Sequence, residues 1–293
     1  MSDATRRFGA MPVDETSCDL EPIHLAGAVQ PPVVMVIARG DRIDQISENA
    51  AELVGREPTQ LVGASIEELP EPFPGLLRAA AQRPVGRIEV RREGGWTYVG
   101  HHHQGLTIAE AEPDGGAIMP TELLNRLRLV VDEVDRAPSF GDALTAACDA
   151  VRELTGFDRV MVYVFHDDGH GEVVAESVED GVDSFLGLHY PATDIPRQAR
   201  RLFVINPTRV IADTTYDGAA LLGRPDSEPA DLTYAQFRAT SPIHLEYLRN
   251  MGVAASFSLS LVVDGELVGL IAAHHEAARR AGVVGEPAGG LVV

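Results

Sequence analysis

The stretch LHYPATDIPRQARRLF, residues 188–203, sets Tyr190, Asp194, Ile195 and Pro196 just ahead of Arg197, Arg200 and Arg201. An exposed helix has no use for the leading aromatic, and a buried one has no use for the arginines. The mixture reads as the wall of a pocket. A second group lies in RATSPIHLEYLRNMG, where Arg238 and Ser241 precede His244 in the first turn of a helix, with Tyr247 one turn further on. A third is SFSLS: Ser256 and Ser258, two apart on a strand, place hydroxyls on one face where β-branched residues are expected. Arginine with several hydroxyls suits a carboxylate or phosphate. Tyrosine and phenylalanine suit a flat conjugated body. The combination points to a large planar acid.

Other chemistry is weaker. In the run His101-His102-His103 the outer two share a strand face, but no carboxylate or cysteine is near in sequence, so a solvated strand is expected rather than a metal site. His274 and His275 alternate on a strand and cannot both line one pocket. Cys18, His244 and Asp194 could be a nucleophile, base and orienter. Asp19 and Glu21 beside Cys18 oppose thiolate formation, and the enzyme reading is set aside. Cys148 falls on the apolar face of a helix and reads as a small core residue.

The elements that must hold these residues follow from periodicity. The chain has 293 residues, enough for two domains. Residues 1–17 read as a loose, polar arm. VVMVIARGDRIDQIS gives two strands about Gly40-Asp41, and ENAAELVG a short helix stopped at Gly55. Residues 86–112 read as strands broken at Gly94-Gly95 and Gln104-Gly105. EPDGG at 112–116 reads as a linker, and a connecting helix follows over 114–136. Ser139 and Asp142 resemble a capping box, with Leu144, Ala147, Cys148, Val151 and Leu154 on one helix face. RVMVYVF and GEVVAESV form a hairpin. Residues 213–237 have weak periodicity and read as a long functional loop. Ser241 caps a helix that Gly252 can end, and AASFSLSLVVDGELVGLIAAHH is a final hairpin. The order indicates α+β, two domains each with an antiparallel sheet flanked by helices.

Net charge is −20 and all basic residues are Arg. A chain this acidic lacks the footprint for nucleic acid or an anionic membrane. With 2 cysteines, no signal-peptide h-region and no spanning apolar run, a cytoplasmic protein is expected.

Three segments in order resemble the bacteriophytochromes: CDLEPIHLAGAVQP at 18–31, YPATDIPRQAR, and RATSPIHLEYLRNMGVAASFSLSLVVDGELVGLIAAHH. The resemblance covers about 18–276 as a PAS domain (18–113) followed by a GAF domain (137–280). It implies a light receptor without catalytic activity, in which Cys18 forms a thioether with the linear tetrapyrrole biliverdin. By the same resemblance the main-chain carbonyl of Asp194 receives the pyrrole N–H groups, and His244 stacks near the inner rings. Arg209, Arg238, Ser256 and Ser258 meet the two propionates. Tyr163, Phe185 and Tyr190 surround ring D, whose carbonyl His274 bonds, and ring D is where light isomerises the pigment. It also implies an N-terminal arm threaded through the long GAF loop. A homodimer and a separate signalling partner are further expectations.

One register argument is independent of the family. A plain two-residue turn at Asp264-Gly265 turns His274 away from Ser256 and Ser258. A three-residue loop with a bulge at Gly265, or an equivalent bulge elsewhere, brings all three to one face. The sequence also departs from the family. Pro32 follows Pro31 where "HG" is usual, Phe203 replaces a tyrosine and Val268 a tryptophan, and residues 281–293 resemble no family segment. The family's last GAF helix, PHY domain and kinase are not matched, as in a truncated product, and a bare sheet face is expected. The alternative reading is a degenerate PAS–GAF scaffold that dimerises without bilin.

Overall fold

The computed structural model describes residues 5–9, 20–86, 88–114 and 120–279. Cys18 and the tail over 281–293 lie outside the described residues. The chain divides into two compact units, residues 1–114 with 215–245, and residues 115–214 with 246–293.

The first unit carries β1 (Arg6–Arg7), β2 (Ala28–Val29), β3 (Val34–Arg39), β4 (Arg42–Ser47), α1 (Ala51–Val54), α2 (Pro58–Leu61), α3 (Phe73–Ala81), β5 (Glu89–Glu93), β6 (Trp96–His103) and β7 (Leu106–Pro113). In the second, α4 (Pro120–Asp135), α5 (Phe140–Thr155), β8 (Arg159–Phe165), β9 (Gly171–Val178), β10 (His189–Tyr190), α6 (Arg197–Ile205) and β11 (Thr208–Ile211) follow. Then β12 (Ala219–Gly223) joins the first unit, and α7 (Pro242–Asn250), β13 (Ala255–Val263) and β14 (Glu266–His275) complete the chain.

The first sheet is antiparallel in the order β1-β12-β4-β3-β7-β6-β5, with β2 also on β12. Its hairpins turn at Gly94-Gly95 and Gln104-Gly105, all with left-handed φ, as a tight hairpin turn demands. One face packs Phe73, Leu76 and Leu77 of α3 against Val34, Val36 and Tyr98. The opposite face is covered by the segment over 215–245: Leu221, Leu232 and Ala235 join Met35, Ile37 and Ile108 in a second core. The long loop thus holds a strand that local periodicity does not reveal.

Two expectations are corrected here. Arg6–Arg7, expected in a loose arm, pair with Leu222 and Gly223 of β12, and Phe8 N–H donates to Leu221 O at 2.8 Å. The histidine run is not a solvated strand. His101 is fully buried beneath the covering segment, and His103 pairs with Asp231 at 3.3 Å.

The second sheet is antiparallel in the order β10-β9-β8-β14-β13-β11. Ser139 Oγ accepts the Asp142 N–H at the start of α5, and left-handed Gly156 ends it. The α5 stripe, with Cys148 fully buried, packs on Val160, Val162, Phe257, Ile271 and Ala273. α5 thus covers this face of the sheet.

Candidate functional site

The other face of the second sheet gathers the chemistry. Antiparallel partners directly opposite each other share a face. One row reads Arg209, Ser258, Ala272, Met161; the next reads Ile211, Ser256, His274, Arg159. Arg209, both serines and His274 therefore stand on one surface. The device that aligns them differs from the preferred expectation. Asp264 and Gly265 form a two-residue turn with φ of 52° and 83°, and Val263 pairs with Glu266. The register then shifts: Val262 pairs with Leu267 but Leu261 with Gly269, which leaves Val268 as the bulge. Gly269 beside it approaches β8 so closely that a Cβ there would lie 2.5 Å from the Tyr163 carbonyl oxygen.

At one end of this face Met161, Tyr163 and Val173 form a buried cluster with Phe165, Phe185, Tyr190, Ile195 and Ala272. The Tyr163 ring lies 5.9 Å from Tyr190 and 5.3 Å from Phe165, while Phe185 meets His274 edge-on at 6.4 Å. Burial, with Asp194 nearby, pushes the Tyr163 hydroxyl up to about 12.

Asp194 is held from α7: Tyr247 Oη donates to its Oδ2 at 2.9 Å. Burial and that carboxylate raise the Tyr247 hydroxyl far above the ordinary tyrosine range. Pro196 takes the N-cap position of α6 with extended φ and ψ, and its carbonyl accepts the Arg200 N–H. Arg200, read from the sequence only as one of a run of arginines, has a specific place here. Its guanidinium donates to the carbonyls of Ile195 at 2.7 Å and Gly169 at 2.6 Å, and lies 4.2 Å from the Phe165 ring centre. It ties the Asp-Ile-Pro turn to the β8–β9 turn. Arg159 and Glu176 were missed, because a charged residue in an alternating strand ordinarily marks the solvent side.

The remaining expected residues belong to the first unit by their contacts. Arg238 is buried, donates to Ala235 O at 3.1 Å and bridges to Val29. Ser241 bonds the Glu21 carboxylate, which burial nonetheless raises. His244 sits half-buried in the first turn of α7, one turn before Tyr247. No group of His, Cys, Asp or Glu among the described residues is arranged to hold a metal ion.

The two-domain fold is shared with known proteins. A PAS fold model matches residues 18–114 and a GAF domain model residues 139–284. The chromophore-binding domain of Stigmatella aurantiaca phytochrome P1 superposes with a TM-score of 0.80 at 37% identity, covering 90% of this chain and 92% of that one. The chain belongs to the bacteriophytochrome family. It is a PAS–GAF region of that family. The bacteriophytochrome of Pseudomonas aeruginosa is 37% identical over 90% of this chain, and that of Xanthomonas campestris 36% identical over 94%. The chain spans 38% and 45% of the length of those two bacteriophytochromes. The chromophore-binding domain of an unusual bacteriophytochrome from R. palustris superposes with a TM-score of 0.79 at 34% identity. No helix among the described residues is long and apolar enough to cross a membrane.

Proposed function

We propose that this bacteriophytochrome region is a red/far-red light-receptor module that holds biliverdin through a thioether at Cys18. The observation that carries the reading is the shared face on which Arg209, Ser256, Ser258 and His274 adjoin the Tyr163–Phe185–Tyr190 cluster. The donor set fits the pigment: hydroxyls and a guanidinium suit two propionates, and aromatic rings suit a conjugated plane. Bound biliverdin supplies the absorption of red light and the double-bond isomerisation at ring D. Arg209, Arg238, Ser256 and Ser258 would hold the propionates, His274 the ring-D carbonyl, and His244 the inner rings. Asp194, whose carboxylate Tyr247 holds, would offer its main-chain carbonyl to the pyrrole N–H groups. Pro196 leads into α6 with extended backbone, Ile195 packs in the aromatic cluster, and Ser241 anchors the start of α7. The module is a cytoplasmic receptor rather than a catalyst, works as a homodimer, and passes its signal to a separate partner.

The test is an absorption spectrum of the purified chain with biliverdin, before and after red light, and then a denaturing gel stained for pigment. A sharpened red band that changes on illumination, with pigment on the gel that Cys18→Ser abolishes, is the expected result. A folded chain with no such band rejects the reading and leaves a scaffold without pigment.

A further inference from the structure

We propose that Arg159 and Glu176 are positioning residues for Phe185, and that they thereby set the shape of the aromatic end of the candidate site. The consequence for light conversion rests on the function proposed above; the positioning itself does not.

Charged side chains are rarely buried, yet Arg159 and Glu176 are 7% and 3% exposed and pair at 3.3 Å. Two apolar residues of the same volume fill such a site at no desolvation cost, so packing alone does not account for the pair. Its hydrogen bonds do. Glu176 Oε1 accepts the Phe185 N–H at 2.9 Å, and Oε2 accepts the Ser184 hydroxyl. Arg159 Nε donates to the Asp183 carbonyl at 3.0 Å, and the guanidinium carbon lies over the Phe185 ring, 3.6 Å from its centre. Residues 183, 184 and 185 are thus each fixed by one member of a buried ion pair. The pair stands on the strands that carry the site: Arg159 is opposite His274, and Glu176 is opposite Met161. The ring tilt of Phe185 toward His274 follows from a guanidinium that cannot turn without breaking its bonds to Asp183 and Glu176.

The test uses the pigment-free chain first. Hydrogen exchange read by mass spectrometry over a peptide covering Phe185 is expected to be about tenfold faster in Glu176→Ala, because a bond to a charged acceptor is lost. The β8 amides keep their rates. Glu176→Gln retains an oxygen for the Phe185 N–H and is expected to fall between, and it carries the test if the alanine variant folds poorly. With biliverdin, both variants are expected to keep pigment on the gel and to convert under red light with a severalfold altered yield. Unchanged exchange at Phe185 in both variants overturns the positioning role. Faster exchange with wild-type conversion overturns its consequence for light. A wild-type chain that takes up no biliverdin sinks the proposed function and that consequence with it, while the exchange rates still decide the positioning of Phe185.

Discussion

Ser256 lies directly across the β13–β14 ladder from His274, and the pairing depends on one residue, Val268. Side chains alternate along a strand, so each unpaired residue inserted into a ladder exchanges the faces beyond it. The tight Asp264-Gly265 turn starts the hairpin in the phase that separates histidine from serines, and the bulge at Val268 restores the other phase.

A chain lacking Val268 is therefore expected to lose pigment uptake while retaining the turn. Titration with biliverdin, followed by the red band, measures this. Uptake equal to the parent would show that the shared face is not the binding surface.

Tyr247→Phe removes one hydroxyl and leaves the Asp194 carboxylate without the bond now made at 2.9 Å. A bond to a charged acceptor in a half-buried site contributes about 1.5–3 kcal/mol. Urea unfolding of the pigment-free chain should show a loss within about that range. A change near zero would mean that Asp194 is held by other groups.

Gly171 adjoins the Tyr163 ring so closely that an added Cβ would fall 1.8 Å from its nearest ring carbon. Gly171→Ala must displace Tyr163 from the aromatic cluster, at about 1–3 kcal/mol of overpacking. Thermal unfolding reads the cost, and the biliverdin band is expected to broaden. Wild-type stability would indicate that the ring can swing aside freely.

Two buried groups of the first unit give stability an opposed pH dependence. Burial and the charges of Glu110 and Asp114 push Glu112 from 4.5 up to about 8. Between those values the folded chain keeps a proton that the unfolded chain has released, so stability falls as pH rises through that window, by at most about 1.4 kcal/mol per pH unit. Burial first, then His103 and His102, lowers His101 from 6.5 to about 4, and there the unfolded chain holds the extra proton. That contribution is lost as pH falls from 6.5 toward 4. The two slopes cancel where the windows overlap, so the net decline lies on the alkaline side of 6.5. In urea unfolding measured across pH, Glu112→Gln should flatten the alkaline limb, and His101→Leu should extend that decline below 6.5 toward 4.5, where the two slopes otherwise cancel. A limb that survives Glu112→Gln, or a plateau that survives His101→Leu, is assigned to other groups.

Much of the fold is legible in short windows. The hairpins at Gly94-Gly95 and Gln104-Gly105 follow from residues that accept left-handed φ, and α5 from its serine cap and apolar stripe. Some residues of the site were also legible as types: Ser256 and Ser258 stood out as hydroxyls on a strand face, and Tyr190 and Asp194 as an aromatic and an acid ahead of a run of arginines, whereas His274 was marked only by the family resemblance. Other features had no local signal. β12 lies in a segment of weak periodicity because it pairs on one side with β1 and β2 and on the other with β4, none of them near it in sequence. His101 reads as solvated until that same segment is laid over it.

By itself, then, the sequence determined the elements, the turn chemistry and the residue types available to a planar acid, because these depend on backbone preferences and side-chain periodicity over a few residues. Tertiary structure alone decided which of them meet. The bulge at Val268, the burial of the Arg159–Glu176 pair and the Tyr247–Asp194 bond each depend on partners far apart in the chain. Whether a charge or hydroxyl faces water or a partner is set by what packs on it, and no local window contains that information.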